Sequence, residues 1–265
     1  MVRHEVEAAL KADGVSMYRL EARLLCELAQ SRGESVEPLL ARRLGGEPIA
    51  YITGEWEFYS LPIRVTRDTL IPRADTETLA ERTIEVLRAR RSREVPRVLD
   101  LCAGTGCIGL AVAVNVPSAN VVLGEISEAA IDVCRENIAL NNLAERVSVQ
   151  CIDALKEPSP ELGAFDVIVS NPPYIPTEVV ATLESSVREF EPHGALDGGV
   201  DGLLFYRAIA ENLRDALKSG GRLIFEVGYD QAAAVAEIMK QNGYISIAVT
   251  RDLNKIERVI EGMKS

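Results

Sequence analysis

Residues 171 to 176, Asn-Pro-Pro-Tyr-Ile-Pro, put an amide, three prolines and an aromatic into six positions. They follow the run 165–170, Phe-Asp-Val-Ile-Val-Ser, whose β-branched apolar character is that of a buried parallel strand. Consecutive prolines remove two backbone donors and fix two φ angles. Such stiffness suits chemistry at a poor nucleophile. The nitrogen of a carboxamide or aromatic amine has a delocalised lone pair, and to attack a methyl group it must be held with that lone pair aimed at the carbon. Two acceptors gripping its N–H bonds achieve this, and their bonds strengthen as the nitrogen becomes positive in the transition state. The Asn171 side-chain oxygen and the Pro172 carbonyl are suitable acceptors. Pro173 fixes that carbonyl's peptide, and Tyr174 can cover the flat face of an amide or base. A plain rigid turn accounts for the prolines, but not for Asn and an aromatic flanking them at a sheet edge where ligands bind.

A second group of residues points to the co-substrate. In "LDLCAGTGCIGL", Gly104 and Gly106 follow a strand and open a helix. Glycine there allows a tight turn and close approach of a ligand to free N–H groups. The next strand ends at Glu125, 21 residues after Gly104, where an open α/β sheet holds a ribose through an acidic side chain. The competing reading of Glu125 is a solvated acid opening the next helix. Turn and acid together indicate an adenosine nucleoside. Gly104, Gly106 and Gly109 also have the dinucleotide spacing G-x-G-x-x-G, so the turn alone leaves NAD open.

These residues need a scaffold, and the periodicities supply one. From residue 97 strands and helices alternate: "RVLDLC", "NVVLGEI", "RVSVQCI", "FDVIVS", "RLIFEVG", "YISIAVT" and "IERVIEG" read as strands. The helices between include one capped by Ser127 and one over "DGLLFYRAIAENLRDALKSGG", closed by Gly220-Gly221. This pattern predicts a mostly parallel, doubly wound sheet. Residues 1 to about 45 read as helices. One has a cap at Ser16, apolar residues Leu20, Leu24, Leu25 and Leu28, and a stop at Gly33; another ends at Gly45-Gly46. "YITGEWEFYSLPIRVTRDTLIPR" reads as a β-hairpin or two short strands, and a helix follows Pro72.

The 265 residues suffice for one large α/β domain and a small appendage. With 40 acids against 29 bases, the net charge of −11 makes the chain a poor generic binder of phosphate backbones. "RARRSRE", residues 88–94, reads as a solvated helix end. No apolar run is long enough to span a bilayer, and the N-terminus has no apolar signal core. The five cysteines form no zinc pattern, which predicts no metal and reduced, cytoplasmic thiols, with Cys107, Cys134 and Cys151 packed in the core. His193 has no evident partner and reads as a loop residue.

"DLCAGTG", "GEIS" and "NPPY" resemble class I S-adenosylmethionine-dependent methyltransferases acting on amide or exocyclic amine nitrogens. "GEPIAYITGEWEFYSLPIRV", "LIPRADTE", "EPHGALDGGVDGLLFYR" and "DLNKIERVI" narrow the likeness, from about residue 45 onward, to the protein-(glutamine-N5) methyltransferases of class I peptide chain release factors. The resemblance implies a seven-stranded sheet over 71–265, a helical substrate-docking domain over 1–48 and a hairpin linker over 49–70. It implies S-adenosylmethionine bound by Cys102, Ala103, Gly104, Thr105, Gly106, Glu125 and Asn171, with S-adenosylhomocysteine as product. Asp100, Asp153 and Ala154 are expected at the same site, with Asp153, after the third strand, reading equally as an adenine contact or as a loop acid. It implies that Asn171, Pro172, Pro173 and Tyr174 hold the glutamine of a GGQ loop, and that Phe58 and Arg73 lie near the mouth of the site. Neither nucleic acid nor membrane is an expected partner.

The sequence departs from the family pattern in three places. Cys102 stands where many relatives have Gly, with its side chain expected to point away from the cofactor. Glu125 replaces a commoner Asp. The N-terminal helical region is shorter by about one or two helices. Other readings are an adenine-N6 nucleic-acid methyltransferase, which would carry a recognition domain and a basic face, a glutamine methyltransferase acting on a ribosomal protein, whose segment after "PR" differs from "ADTE", and a non-catalytic nucleoside-binding module.

Overall fold

The computed structural model describes residues 1–92 and 94–265; the last arginine of the "RARRSRE" segment lies outside the described residues. Four helices come first: α1 (Arg3–Ala12), α2 (Tyr18–Arg32), α3 (Glu37–Leu44) and α4 (Ile49–Thr53). They bury a small core of their own, including Val6, Leu10, Leu25, Leu39 and Ile52. Helix α2 stops at Gly33 in the left-handed conformation, φ 66°. Its start differs from expectation, because Met17, not Ser16, holds the cap position and no side chain caps it. Its buried stripe runs through Ala22, Leu25 and Ala29, whereas Leu20 is exposed. The small alanines let neighbouring helices approach more closely than a leucine stripe would.

Helix α4 occupies the start of the expected linker and ends at Gly54, φ 74°. The hairpin comes next, β1 (Glu55–Phe58) paired antiparallel with β2 (Leu61–Arg64). Its two turn residues, Tyr59 and Ser60, both have positive φ, 50° and 62°, the geometry that matches strand twist in two-residue hairpins. The Tyr59 N–H donates to the Glu77 carboxylate at 2.8 Å, which pins the turn to the next helix. A 3₁₀ turn (Ala74–Thr76) leads into that helix, α5 (Glu77–Arg88).

The main sheet contains β3 (Arg97–Leu101), β4 (Asn120–Glu125), β5 (Val147–Cys151), β6 (Phe165–Ser170), β7 (Leu217–Glu226), β8 (Tyr244–Arg251) and β9 (Glu257–Lys264). Their order is β5-β4-β3-β6-β7-β9-β8, and β9 alone runs against the others. Between them lie α6 (Cys107–Asn115), α7 (Glu128–Leu140), the short α8 (Thr177–Val180) and α9 (Ser185–Arg188), α10 (Leu204–Asn212) and α11 (Ala232–Gln241). The seven-stranded, doubly wound expectation is met. Two apolar layers flank the sheet: one holds Ile84, Leu110, Val121 and Val169, the other Leu99, Ile168, Tyr206 and Phe225. Ser127 caps α7 through its hydroxyl, as expected.

Two further expectations are corrected. The helix over 202–221 ends at Asn212, and Gly220-Gly221 lie inside β7. Gly220 has φ 75°, and the β6–β7 register shifts between Phe165 and Val167. Glycines within a strand mark an irregularity of this kind as readily as they stop a helix. Cys107 and Cys134 are buried, but Cys151 is exposed at the end of the edge strand β5.

Glu47 ties helix α3 to the segment beyond β2. Its carboxylate is almost fully buried, accepts two bonds from Arg42 at 2.7 and 2.8 Å, and pairs with Arg67 at 2.8 Å. The Arg42 bonds outweigh burial and, with Arg67, lower its pKa to about 2. A depressed carboxylate stabilises the fold above its unfolded pKa, and that contribution disappears as pH falls through the folded value. Glu47→Gln should therefore cost roughly 2 kcal/mol at pH 7. In urea unfolding, the gap between parent and variant should narrow as pH drops from about 4.5 toward 2.

Candidate active site

The chain runs outward from β3 to β5 on one side, then returns to place β6 on the other side of β3. The crevice at such a reversal is where open α/β sheets bind ligands. The register lines up the strand ends: Leu101 pairs with both Gly124 and Ser170, Glu125 with Cys151, and Ser170 with Phe225. Cys102, Glu125, Ile152, Asn171 and Glu226 consequently stand along one edge. The Ser170 hydroxyl donates to the Leu101 carbonyl at 2.7 Å and fastens the two central strands.

The loop after β3 is built for close approach. Cys102, Gly104 and Gly106 all have positive φ, 59°, 55° and 80°. That backbone explains why glycine suits position 102. The Cys102 side chain packs with the layer containing Leu99 and Leu101, and burial pushes its thiol well up. The Gly106 N–H donates to the Ala103 carbonyl at 2.7 Å, closing the turn. A Cβ on Gly104 would meet nothing within 4 Å, so the space before it is open. A Cβ on Gly109 would meet Leu123 at 2.4 Å and Asp100 at 3.1 Å, so the third glycine serves the contact of α6 with the sheet. The Gly109 N–H donates to Asp100 Oδ2 at 2.8 Å. Asp100 Oδ1 is buried without a partner, and burial raises the carboxyl pKa to about 8.

Glu125 reaches back to this loop. Its Oε2 accepts from the Gly104 N–H at 2.9 Å, and its Oε1 accepts from Ile126 and Ser127 at 2.8 and 3.0 Å. A carboxylate has about four acceptor positions, so one remains on the oxygen next to Gly104. Thr105 is buried, and its carbonyl accepts from Asn137 Nδ2 at 3.0 Å. Asp153 accepts from the Leu155 N–H at 3.0 Å and pairs with Lys156 at 2.9 Å; the Lys156 bond lowers its pKa. Ala154 beside it is buried.

The proline stretch is held from behind by a glycine loop. Ile175 N–H donates to Leu196 O at 3.0 Å, and Gly198 N–H to Ile175 O at 2.8 Å. Gln231 Nε2 donates to Tyr174 O at 2.9 Å. Gly198 and Gly202 must lack side chains, since a Cβ would come within 2.6 and 2.3 Å of Tyr174 backbone atoms. These anchors all fall on Tyr174 and Ile175, past the two consecutive prolines. The Pro172 carbonyl accepts no hydrogen bond among the described residues. Asn171 donates through Nδ2 to Thr76 Oγ1 at 3.3 Å, and its Oδ1 accepts nothing among the described residues.

Phe58 and Arg73 are less direct. Phe58 is 1% exposed, within the layer that includes Ala103 and Cys107, and forms no open rim. Arg73 is half-exposed and donates to the buried Glu191 at 2.5 Å. His193 sits in a 3₁₀ turn, 4.0 Å from Asp197.

Residues that motif reading did not single out are Asn137, Thr76, Gln231 and Glu226. Asn137 exchanges bonds with the Arg64 backbone at 2.6 and 3.0 Å while holding Thr105, so it bolts the hairpin to the glycine loop. The asparagine in "CRENIALNN" gives no local signal of that role, because its partners are 73 and 32 residues away.

Residues 79–195 match the family model described as Methyltransferase small domain. A relative named release factor glutamine methyltransferase from Thermodesulfovibrio yellowstonii is 37% identical over 97% of this chain and 89% of its own length. One of the same name from Geobacter sulfurreducens is 41% identical, over 97% and 86%. The crystal structure of a methyltransferase from Pyrococcus furiosus superposes with a TM-score of 0.53, at 21% identity, over 85% of this chain and 97% of that one, which supports the fold. With the glycine loop, Glu125 and the Asn-Pro-Pro-Tyr edge assembled on that fold and identity above one third along nearly the whole length, the chain belongs to the release factor glutamine methyltransferase family.

Proposed function

We propose that the chain transfers a methyl group from S-adenosylmethionine to the side-chain amide nitrogen of the glutamine in the GGQ motif of class I peptide chain release factors, giving N5-methylglutamine. The observation that carries this reading is a pair of free acceptors side by side. The Pro172 carbonyl accepts nothing among the described residues, and the Asn171 amide spends its NH₂ on Thr76, which leaves Oδ1.

Bound S-adenosylmethionine supplies an electrophilic methyl group on a positively charged sulfur. The open space at Gly104, the unpartnered Asp100 Oδ1 and the remaining acceptor position of Glu125 suit a ligand with a nucleoside at one end and an amino group at the other. Glu125 takes the ribose hydroxyls, the backbone from Cys102 to Gly106 lines the ligand, and Asp153 and Ala154 border the base. Asn171 Oδ1 and Pro172 O take the two N–H bonds of the target amide and turn its lone pair toward the methyl carbon. These bonds gain strength as the nitrogen gains positive charge, so they favour the transition state over the ground state. Tyr174 covers the flat face of the amide. No side chain has to remove a proton before attack, since the amide nitrogen loses one to water after it has become positive.

The helices over 1–48 dock the release factor and the hairpin over 49–70 links them to the catalytic part. Support for this division is that α1–α3 share a core separate from the sheet layers and carry none of the site residues.

Three measurements test the reading. Asn171→Ala should abolish methylation of the release factor, read by mass spectrometry of its tryptic peptide, with S-adenosylmethionine affinity kept within about tenfold. Calorimetric titration of Glu125→Ala should show binding weakened by about 1.5–3 kcal/mol through lost charge-assisted bonds to the ribose. Removal of residues 1–45 should depress turnover of intact release factor far more than cofactor binding, while a short GGQ peptide should be a poor substrate for both forms, because remote contacts supply the energy that seats the loop.

A further inference from the structure

We propose that Thr76 and Glu226 are positioning residues that set which end of the Asn171 amide faces the target and that hold the Tyr174 ring. The inference rests on the reading above, in which Asn171 grips the target nitrogen. Glu226 ends β7, one residue past the Ser170–Phe225 pair, as Asn171 is one residue past it on the β6 side. It is 2% exposed. Its Oε1 accepts from the Tyr174 hydroxyl at 3.4 Å, and its main-chain carbonyl accepts from the Tyr206 hydroxyl at 2.9 Å. Oε2 is buried and has no hydrogen-bond partner among the described residues. Thr76 ends the 3₁₀ turn before α5 and is 3% exposed. Its hydroxyl accepts from Asn171 Nδ2 at 3.3 Å and lies close enough to the Glu226 carboxylate to favour its charged form.

The chemistry makes this cluster directional. The two ends of an asparagine amide differ little in shape, and a flipped Asn171 would turn donors toward the target's own N–H groups. A carboxylate can only accept. In the proposed arrangement the Thr76 hydroxyl turns its single proton toward the buried, unpartnered Oε2 of Glu226, which leaves it only acceptor capacity for Asn171. Nδ2 then faces Thr76, and Oδ1 is left for the target. The Tyr174 hydroxyl donates to the same carboxylate, so one buried anion orients both groups.

The charged groups around Glu226 come from each element packed on it. Arg258 on β9 favours the ionised form, and Asp75 in the 3₁₀ turn opposes it. The Tyr174 hydroxyl donates to it, Thr76 lies beside it and favours its charged form, and Cys107 on α6 and Tyr206 on α10 are further titratable neighbours. Burial is the largest influence and raises the pKa to about 7. Below that value the protonated carboxyl can donate to Thr76 and reverse the relay; above it the direction is fixed. Turnover should rise as pH passes upward through this range.

The test is steady-state methylation of intact release factor at saturating S-adenosylmethionine, with calorimetric titration of the cofactor on every variant. Thr76→Val keeps the shape and removes the hydroxyl; kcat should fall at least about tenfold through misplacement of the grip, with cofactor Kd changed by no more than about twofold. Thr76→Ser, which retains the hydroxyl, should recover kcat to within about threefold of the parent. Glu226→Gln should lower kcat and remove the rise with pH near 7 that the parent shows. Parental kcat in Thr76→Val, or a pH profile of Glu226→Gln matching the parent's, overturns the proposal. Should Glu226→Gln not fold, the Val and Ser variants decide it. Methylation retained by Asn171→Ala would instead overturn the underlying assignment of Asn171, so the two failures are distinct.

Discussion

The site depends on the pairing of β3 with β6. Leu101 opposite Ser170 brings the end of the glycine-loop strand level with the end of the Asn-Pro-Pro-Tyr strand, and the Ser170 hydroxyl locks that level. A slip of one residue would turn every side chain of β6 to the other face. Asn171 would then leave the face that carries Thr76. Register is well defined here because both faces of β6 are buried, with Val167 and Val169 in one layer and Phe165 and Ile168 in the other. The hydrophobic core thus fixes the distance between a nucleoside pocket and an amide grip that lie about 70 residues apart in the chain.

Rigid support is concentrated behind the grip. Three prolines leave few backbone donors to satisfy, and two of those that remain, at Ile175 and Thr177, bond to the loop over 196–199. Gly198 and Gly202 let that loop sit directly against Tyr174. Gln231 closes the arrangement, accepting from the Gly228 N–H at 3.0 Å while donating to Tyr174 O. The acceptors are held in place before any ligand arrives, so little reorganisation accompanies binding.

Much of this was legible in the sequence because its signals are local. Gly104, Gly106, Glu125 and Asn171 each follow a strand whose apolar run is visible, and the periodicity of those runs implied the sheet. What could not be read are partnerships across long stretches of chain. Asn171 meets Thr76 95 residues away, and Tyr174 meets Glu226 52 residues away. In "RADTET" the threonine looks like an ordinary helix-start residue, and in "RLIFEVG" the glutamate looks like a solvated strand end. Only their burial together shows otherwise. The start of β7 was hidden for a different reason: "ALKSGG" continues a helical pattern and then presents glycines, which mark a stop in one context and a strand irregularity in another.

Cys102, Cys107 and Cys134 surround the glycine loop, and the Cys134 sulfur donates to the Gly104 carbonyl at 3.1 Å. Sulfur is intrinsically a far stronger nucleophile toward an alkyl cation equivalent than a carboxamide nitrogen, so an enzyme of this kind faces a problem of chemoselectivity within its own walls. Only the thiolate attacks efficiently. Burial pushes Cys107 up to about 12 and raises Cys102 and Cys134 well above the ordinary thiol range, with Asp100 and Glu125 adding to the effect on both. Burial, reinforced by the neighbouring acids, therefore keeps three competing acceptors in their unreactive thiol form.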